Sequence, residues 1–159
     1  GYGQCNVPGD LGTVTAIAAA YRHTVALKSD GTVRAWEYNF QGQCNVPGDV
    51  GAVTAIAAGY WHTVAVKSDG SVRAWQGNDY GQCNVPGDVG AVTAIAAGAE
   101  HTVALKSDGS VRAWGRNDHG QCNVPGGLGT VTAIAAGYSH TVALKSDGSV
   151  RAWGDNTEG

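Results

Sequence analysis

The chain has 159 residues, of which 25 are glycine, 43% are hydrophobic and 14% are charged. That apolar fraction can build one domain's core, so the glycine load does not by itself mean disorder. A net charge of −3 argues against a general nucleic-acid binder, which needs clustered Lys and Arg, and no stretch approaches the ~20 apolar residues of a membrane span.

The chain lacks methionine and opens Gly1-Tyr2-Gly3, which reads as a cleavage product or an expression boundary, with any targeting signal out of view. Gly-Gln-Cys-Asn-Val-Pro then begins at Gly3, Gly42, Gly81 and Gly120, a period of 39. The reading is one domain over 1–159 made of repeats 3–41, 42–80, 81–119 and 120–158, and Gly159 would open a fifth. Segments 42–80 and 81–119 are identical at 33 of 39 positions. Repeats this alike mark a recent amplification or a consensus-style engineered scaffold, and we lean towards engineering.

Within the second repeat, Val53–Ala58 is apolar with β-branched residues and predicts a strand ending at Gly59. His62–Lys67 predicts the next, followed by Ser68-Asp69-Gly70, a hairpin turn of the Asp-Gly kind. Ser71–Trp75 predicts a third, and Gln82–Val85 a short fourth strand stopped by Pro86. Four-stranded sheets at this spacing, repeated radially, predict an all-β propeller, with an open β-solenoid as the alternative. The small residues Ala55, Ala57 and Ala58 suit an innermost strand, and Trp36, Trp75, Trp114 and Trp153 suit the wider gaps between blades.

The run Val-Thr-Ala-Ile-Ala-Ala-Gly-x-x-His-Thr-Val-Ala-Leu-Lys-Ser-Asp-Gly-Ser-Val-Arg-Ala-Trp-Gly-x-Asn-x-x-Gly-Gln resembles the repeat of the regulator of chromosome condensation family over the whole chain. With Val-Pro after Gly-Gln, it is more similar still to the β-lactamase inhibitory protein II kind of that repeat. The resemblance implies a propeller, usually of seven blades, and a two-residue turn and Trp-Gly-x-Asn-x-x-Gly loop that grip a β-lactamase. Four repeats depart from seven. The family's blade angle lies nearer that of an eight-bladed ring than of a four-bladed one, which favours two chains joined head to tail into eight blades over a tight four-bladed ring. Asp155–Gly159 would then run into Gly3-Gln4-Cys5 of the next chain. A half ring left alone would bare two apolar blade faces.

Differences among the four copies point to one end of the molecule. Alternating strands put the turn after Gly59 and the loop after Trp75 on one face, and the Ser-Asp-Gly turns and Pro-Gly-Asp segments on the other. Columns 20–22 and 37–41 form the first face, and seven of those eight vary, against five of the other 31. The fixed one is Asn39, Asn78, Asn117 and Asn156, expected to cap its own turn. All six Tyr, including Tyr2, the single Phe40 and the off-pattern Trp61 lie in these loops, and such residues are enriched at binding surfaces.

The same loops carry Glu37, Asp79, Glu100, Asp118, Asp155 and Glu158 against Arg22 and Arg116, while the remainder holds seven acids and eight bases. An aromatic, acidic surface fits a protein partner with a basic patch and disfavours nucleic acid. The candidate partner-binding residues are Tyr21, Arg22, Glu37, Tyr38, Phe40, Tyr60, Trp61, Gln76, Asp79, Tyr80, Glu100, Arg116, Asp118, His119, Tyr138 and Asp155. Tyr38, Phe40, Tyr60 and Trp61 are the expected anchors.

Cys5, Cys44, Cys83 and Cys122 stand a blade apart, too far for disulfides and without a zinc pattern, so they read as buried free thiols. His23, His62, His101 and His140 could ring a metal, but they fit better as satisfying backbone groups at the turn. Lys28, Lys67, Lys106 and Lys145 and Arg34, Arg73, Arg112 and Arg151 are expected to pair with Asp residues of the opposite face or to shield blade edges. A nucleophile with a base, paired carboxylates in a pocket and a phosphate-binding loop are missing from the pattern, so no enzyme and no cofactor are expected. The leading reading is a protein-binding propeller. A symmetric assembly scaffold is the second, and a lectin the third, although Trp61 and Phe40 do not recur per repeat as lectin sites should.

Overall fold

The computed structural model describes residues 5–40 and 42–157. Each repeat folds as an antiparallel three-stranded sheet in simple up-and-down order. The strands are β1 (Val14–Ala19), β2 (His23–Lys28) and β3 (Val33–Glu37), then β4 (Val53–Ala58), β5 (His62–Lys67) and β6 (Val72–Gln76). They continue with β7 (Val92–Ala97), β8 (His101–Lys106) and β9 (Val111–Gly115), then β10 (Val131–Ala136), β11 (His140–Lys145) and β12 (Val150–Gly154). The first two strands of each blade fall where the β-branched pattern predicts, and the third starts one residue later. Ser71 instead closes the turn: its N–H and Oγ both donate to Asp69 Oδ1, at 2.9 and 2.6 Å, while Gly70 takes φ 82°. These bonds hold the Asp69 carboxyl below its ordinary value.

The expected fourth strand does not form. Gln82–Val85 is a turn, with Asn84 N–H donating to Gly81 O and Val85 N–H to Cys83 O. Its short hydrogen bonds are local, and Pro86 cannot donate to a ladder.

β1, β4, β7 and β10 pack on one another in sequence, which places the alanine-rich strands innermost, where backbones come closest. Apolar seams fill the space between blades. In the second seam Val66, Val72 and Ala55 of one blade meet Val85, Val89, Val92, Ile95, Ala104 and Trp114 of the next, and the first and third seams use the equivalent columns. Burial of this kind contributes ~25 cal/mol per Å² and is the main force holding blade to blade.

A polar relay crosses each seam. His62 Nε2 lies 3.0 Å from Thr102 Oγ1, and that hydroxyl donates to Gln82 O at 2.9 Å, a carbonyl that also accepts from Trp114 Nε1 at 3.0 Å. His101, Thr141, Gln121 O and Trp153 repeat the arrangement, and His23 with Thr63 and Gln43 O begins it. Because the threonine proton is spent on the carbonyl, the imidazole must donate through Nε2. The expectation of backbone partners for these histidines is therefore corrected: each reaches a hydroxyl on the following blade. The three rings are fully buried, and burial pushes their pKa values down to about 4, 3 and 4 for His23, His62 and His101.

Among the described residues no hydrogen bond joins the first blade to the last, and Ile17 on β1 stays 76% exposed. The chain is an open arc of four blades.

Thr102→Val keeps the side-chain volume but strands His62 Nε2 and leaves Gln82 O with Trp114 as its donor, and is expected to cost about 1–3 kcal/mol in denaturant unfolding. The buried histidines give a pH dependence of definite sign. Their folded pKa values lie below the unfolded value, so stability is full above the ordinary histidine pKa, about 6.5. It falls as pH drops through that value and levels off near pH 4 for His23 and His101 and near pH 3 for His62, by on the order of 3–5 kcal/mol per ring at most. A flat stability profile between pH 7 and 4 would contradict this.

Candidate functional site

The turns preceding β2, β5, β8 and β11 and the loops following β3, β6, β9 and β12 leave the blades at the same end. Backbone bonds tie the pair in the first, third and fourth repeats: Tyr38 N–H donates to Arg22 O, Arg116 N–H to Glu100 O and Asp155 N–H to Ser139 O. The fixed asparagines make this end stable enough to vary. Asn78 Oδ1 accepts from Cys83 N–H and its Nδ2 donates to Asn84 Oδ1, both at 2.8 Å, and Asn39 and Asn117 do the same. The asparagine thus clamps the loop to the start of the next repeat and does not cap its own turn, as the sequence had suggested.

The aromatic side chains form one patch on blades one, two and four. Tyr21 and Tyr60 stack at 4.2 Å, Tyr60 meets Trp61 edge-on at 4.8 Å, and Trp61 lies 6.1 Å from Tyr38, which neighbours Phe40 at 6.2 Å. Tyr60 also reaches Tyr138 at 6.0 Å, across the place where Ala99 leaves room. The Arg22 guanidinium sits about 5 Å from the Tyr21, Tyr38 and Trp61 rings, at 5.1, 4.9 and 5.4 Å, in cation–π geometry. Tyr38, Tyr60 and Trp61 are half-buried against each other, whereas Tyr21, Phe40 and Tyr138 are exposed by 56, 79 and 65%. Tyr21 is held below its ordinary pKa by its bond with Tyr60 and by Arg22. Tyr2 and Glu158 lie outside the described residues.

A charged cluster occupies blades three and four. Arg116 pairs with Asp118 and Glu100, both at 2.7 Å, and lies 4.8 Å from the Tyr80 ring. These two carboxylates raise the Arg116 pKa above its ordinary value. His119 Nδ1 stands 3.8 Å from Asp155. Two of the acids counted in the sequence, Glu100 and Asp118, thus face the Arg116 cation of the same face, which lowers the acidity this end can offer. Asp79 is exposed on the loop after β6, and Glu37 is half-buried at the end of β3.

Column 37 also carries strain. Gly115 and Gly154 take φ 109° and 112° there, but Glu37 and Gln76 adopt φ 97° and 71° with side chains, a conformation costing about 1–3 kcal/mol outside glycine. Two glycine copies beside two strained ones was a signal present in the sequence but unusable without the backbone.

At the opposite end, Arg73 and Asp49 stand 3.5 Å apart, Arg112 and Asp88 3.6 Å, and Lys145 and Asp147 3.7 Å, all on exposed carboxylates. Burial keeps the thiols of Cys44, Cys83 and Cys122 protonated, with pKa values pushed up to about 11, 12 and 11, and the Glu37 charge adds to this at Cys44; Cys83 Sγ donates to Gln76 O at 2.7 Å. They are only partly buried, however, and Cys5 is exposed, so the reading of four buried thiols is corrected. Among the described residues no three His, Cys, Asp or Glu side chains converge as a metal site.

Comparison with known structures reproduces the arc. Yeast RCC1 (Prp20), solved bound to Kap60, matches with a TM-score of 0.79 and 23% identity over 93% of this chain and 45% of that one. Human WBSCR16 matches at 0.78 and 23% over 89% and 47%. The computationally designed Ika4 protein matches at 0.55 and 24%, over 94% of this chain and 96% of that one. At these identities the likeness is one of fold, and the chain spans just under half the length of the yeast and human proteins. No curated protein sequence matches significantly. The regulator of chromosome condensation (RCC1) repeat matches residues 14–43, 53–82, 92–121 and 131–159. Those four matches take in every strand of the four blades and most of the chain, and the chain belongs to the RCC1 repeat family.

Proposed function

We propose that the chain is a non-enzymatic protein-binding propeller, half of an eight-bladed ring made by two copies, that takes its partner on the loop end. The observation that carries this reading is the continuous patch of Tyr21, Tyr38, Phe40, Tyr60, Trp61 and Tyr138 around Arg22. Large rings already packed on one another lose little side-chain entropy on binding, which is the property of an interface anchor. Yeast Prp20p was solved bound to Kap60 and was studied for binding Gsp1p and histones, which supports protein partners for this fold.

Glu37 and Asp79 lie on loops of the aromatic blades and give the patch an acidic border, so the partner's complementary surface carries Lys or Arg beside an apolar knob. The similarity to the β-lactamase inhibitory kind of repeat makes β-lactamases the first panel to test. A second reading, a symmetric assembly scaffold without a natural ligand, is favoured by the end-to-end match with designed Ika4. A sugar-binding role is less supported, because Trp61 and Phe40 have no counterparts in the other repeats.

Immobilised chain is expected to retain a β-lactamase from the panel, and Trp61→Ala or Tyr38→Ala to weaken capture by about 1–4 kcal/mol each without changing thermal stability by a similar amount. Unchanged capture by both variants would overturn the reading. Glu37→Gly and Gln76→Gly relieve the positive-φ strain and should each raise unfolding stability by about 1 kcal/mol. If those side chains are kept for binding, the same variants bind the partner more weakly; a scaffold without a ligand would show only the gain in stability.

A further inference from the structure

Four blades contain three seams and two unmatched edges, and the two edges are halves of a fourth seam. Among the described residues, the eight exposed large hydrophobics divide cleanly. Tyr21, Phe40, Tyr80 and Tyr138 belong to the loop end, while Val7, Ile17, Leu144 and Val150 belong to the edges. Each edge residue is the counterpart of a seam residue one repeat away. Leu144 and Val150, 39 and 64% exposed, correspond to Leu105 and Val111, which pack in the third seam. Val7 and Ile17, 65 and 76% exposed, correspond to Val46 and Ile56, which pack in the first seam.

The polar groups divide in the same way. His23, His62 and His101 are fully buried by the threonine of the following blade, but His140 is exposed. Thr63, Thr102 and Thr141 are fully buried by the histidine of the preceding blade, but Thr24 is half-buried. Along the backbone, the Val53, Val92 and Val131 N–H groups donate across the seams to Gly31, Gly70 and Gly109 O, all at 2.9 Å. The next pair in that series is the Val14 N–H and the Gly148 carbonyl. A cavity of about 720 Å³ opens along the last blade beside His140 and Trp153, where each earlier blade is covered by its successor.

We infer that the occupant of each edge is a second copy of this chain, docked head to tail, so that Leu144, Val150 and His140 of one copy receive Val7, Ile17 and Thr24 of the other. This rests on the half-ring reading above and names the contacts that make it. The complement required is residue-specific, and the chain's own opposite edge supplies it at every position. One chain cannot bring its two edges together while keeping its blade angle, because the arc superposes on only 45% of the yeast RCC1 chain. Two arcs fill one ring, with two identical seams and no edge left. Closure also sets the Tyr21 of one copy beside Tyr138 of the other, so the aromatic patches of the two copies join into one surface in the dimer.

Light scattering of the intact chain should give twice the 16.2 kDa chain mass. Ile17→Asp spoils the first edge and Val150→Asp the last, both at exposed positions, so each variant alone should fold by circular dichroism and stay monomeric. Mixing the two restores one unspoiled seam, and dimer formation at least tenfold above either variant alone is expected. Should an aspartate variant fail to fold, His140→Ala and Thr24→Val spoil the same edges and are read in the same way. An intact chain of single mass would overturn the half-ring reading and this seam with it. A dimer that survives in either single variant would leave the two-copy ring standing as a stoichiometry but overturn the head-to-tail seam.

Discussion

A three-stranded blade of this composition has two apolar faces and nothing of its own to cover them with. That constraint organises the molecule. Each face is covered only by the next copy of the same blade, so the valines, alanines and tryptophans that meet across a seam must recur at the same columns. The histidine–threonine–carbonyl relay adds direction to this otherwise greasy contact. It runs from the histidine of one blade to the threonine of the next and on to one carbonyl, which in the second and third seams also accepts a tryptophan N–H, and it works only with a neutral imidazole donating through Nε2. Burial keeps the rings neutral, and the seam in turn keeps them buried.

Freedom at one end follows from rigidity elsewhere. The columns that do not vary are those used in seams, in Asp-Gly turns and in the asparagine clamp. Asn39, Asn78 and Asn117 hold each loop to the repeat that follows, through a backbone N–H and a side-chain amide. With the loop's two ends secured in this way, residues of very different size stand at equivalent positions between them. Tyr, Trp, Arg, Glu or Gly can then occupy equivalent positions without disturbing the blade. Even so, the varied positions are not neutral in energy: Glu37 and Gln76 keep side chains where the backbone favours glycine.

The two kinds of loop chemistry are separated in space. Aromatic rings gather around Arg22, while Arg116 draws Glu100 and Asp118 into a network beside it. A guanidinium surrounded by ring faces is a different surface from one held between carboxylates, although both read as arginine in a loop. The first leaves exposed apolar area with a cation at its centre. The second spends its charge internally, and such partly exposed pairs contribute modestly to stability.

Much of this was legible in the sequence, because it depends on patterns of short range or exact repetition. The period of 39 residues, the first two strands of each blade, the Asp-Gly turns, the interior place of the alanine strand and the common end of the variable loops all follow from alternation, turn chemistry and strand parity. The fourth strand failed because Gln82–Val85 looks extended by composition, yet its backbone bonds close within the segment. What only the tertiary structure decided are the pairings between residues distant in sequence. His62 finding Thr102, Arg116 taking two of the acids, and Ile17 left bare while Ile56 is covered depend on which blade stands beside which. Identical repeats carry identical local signals, so sequence alone cannot tell a blade inside the stack from one at its edge; only the spatial order of the blades breaks that equivalence.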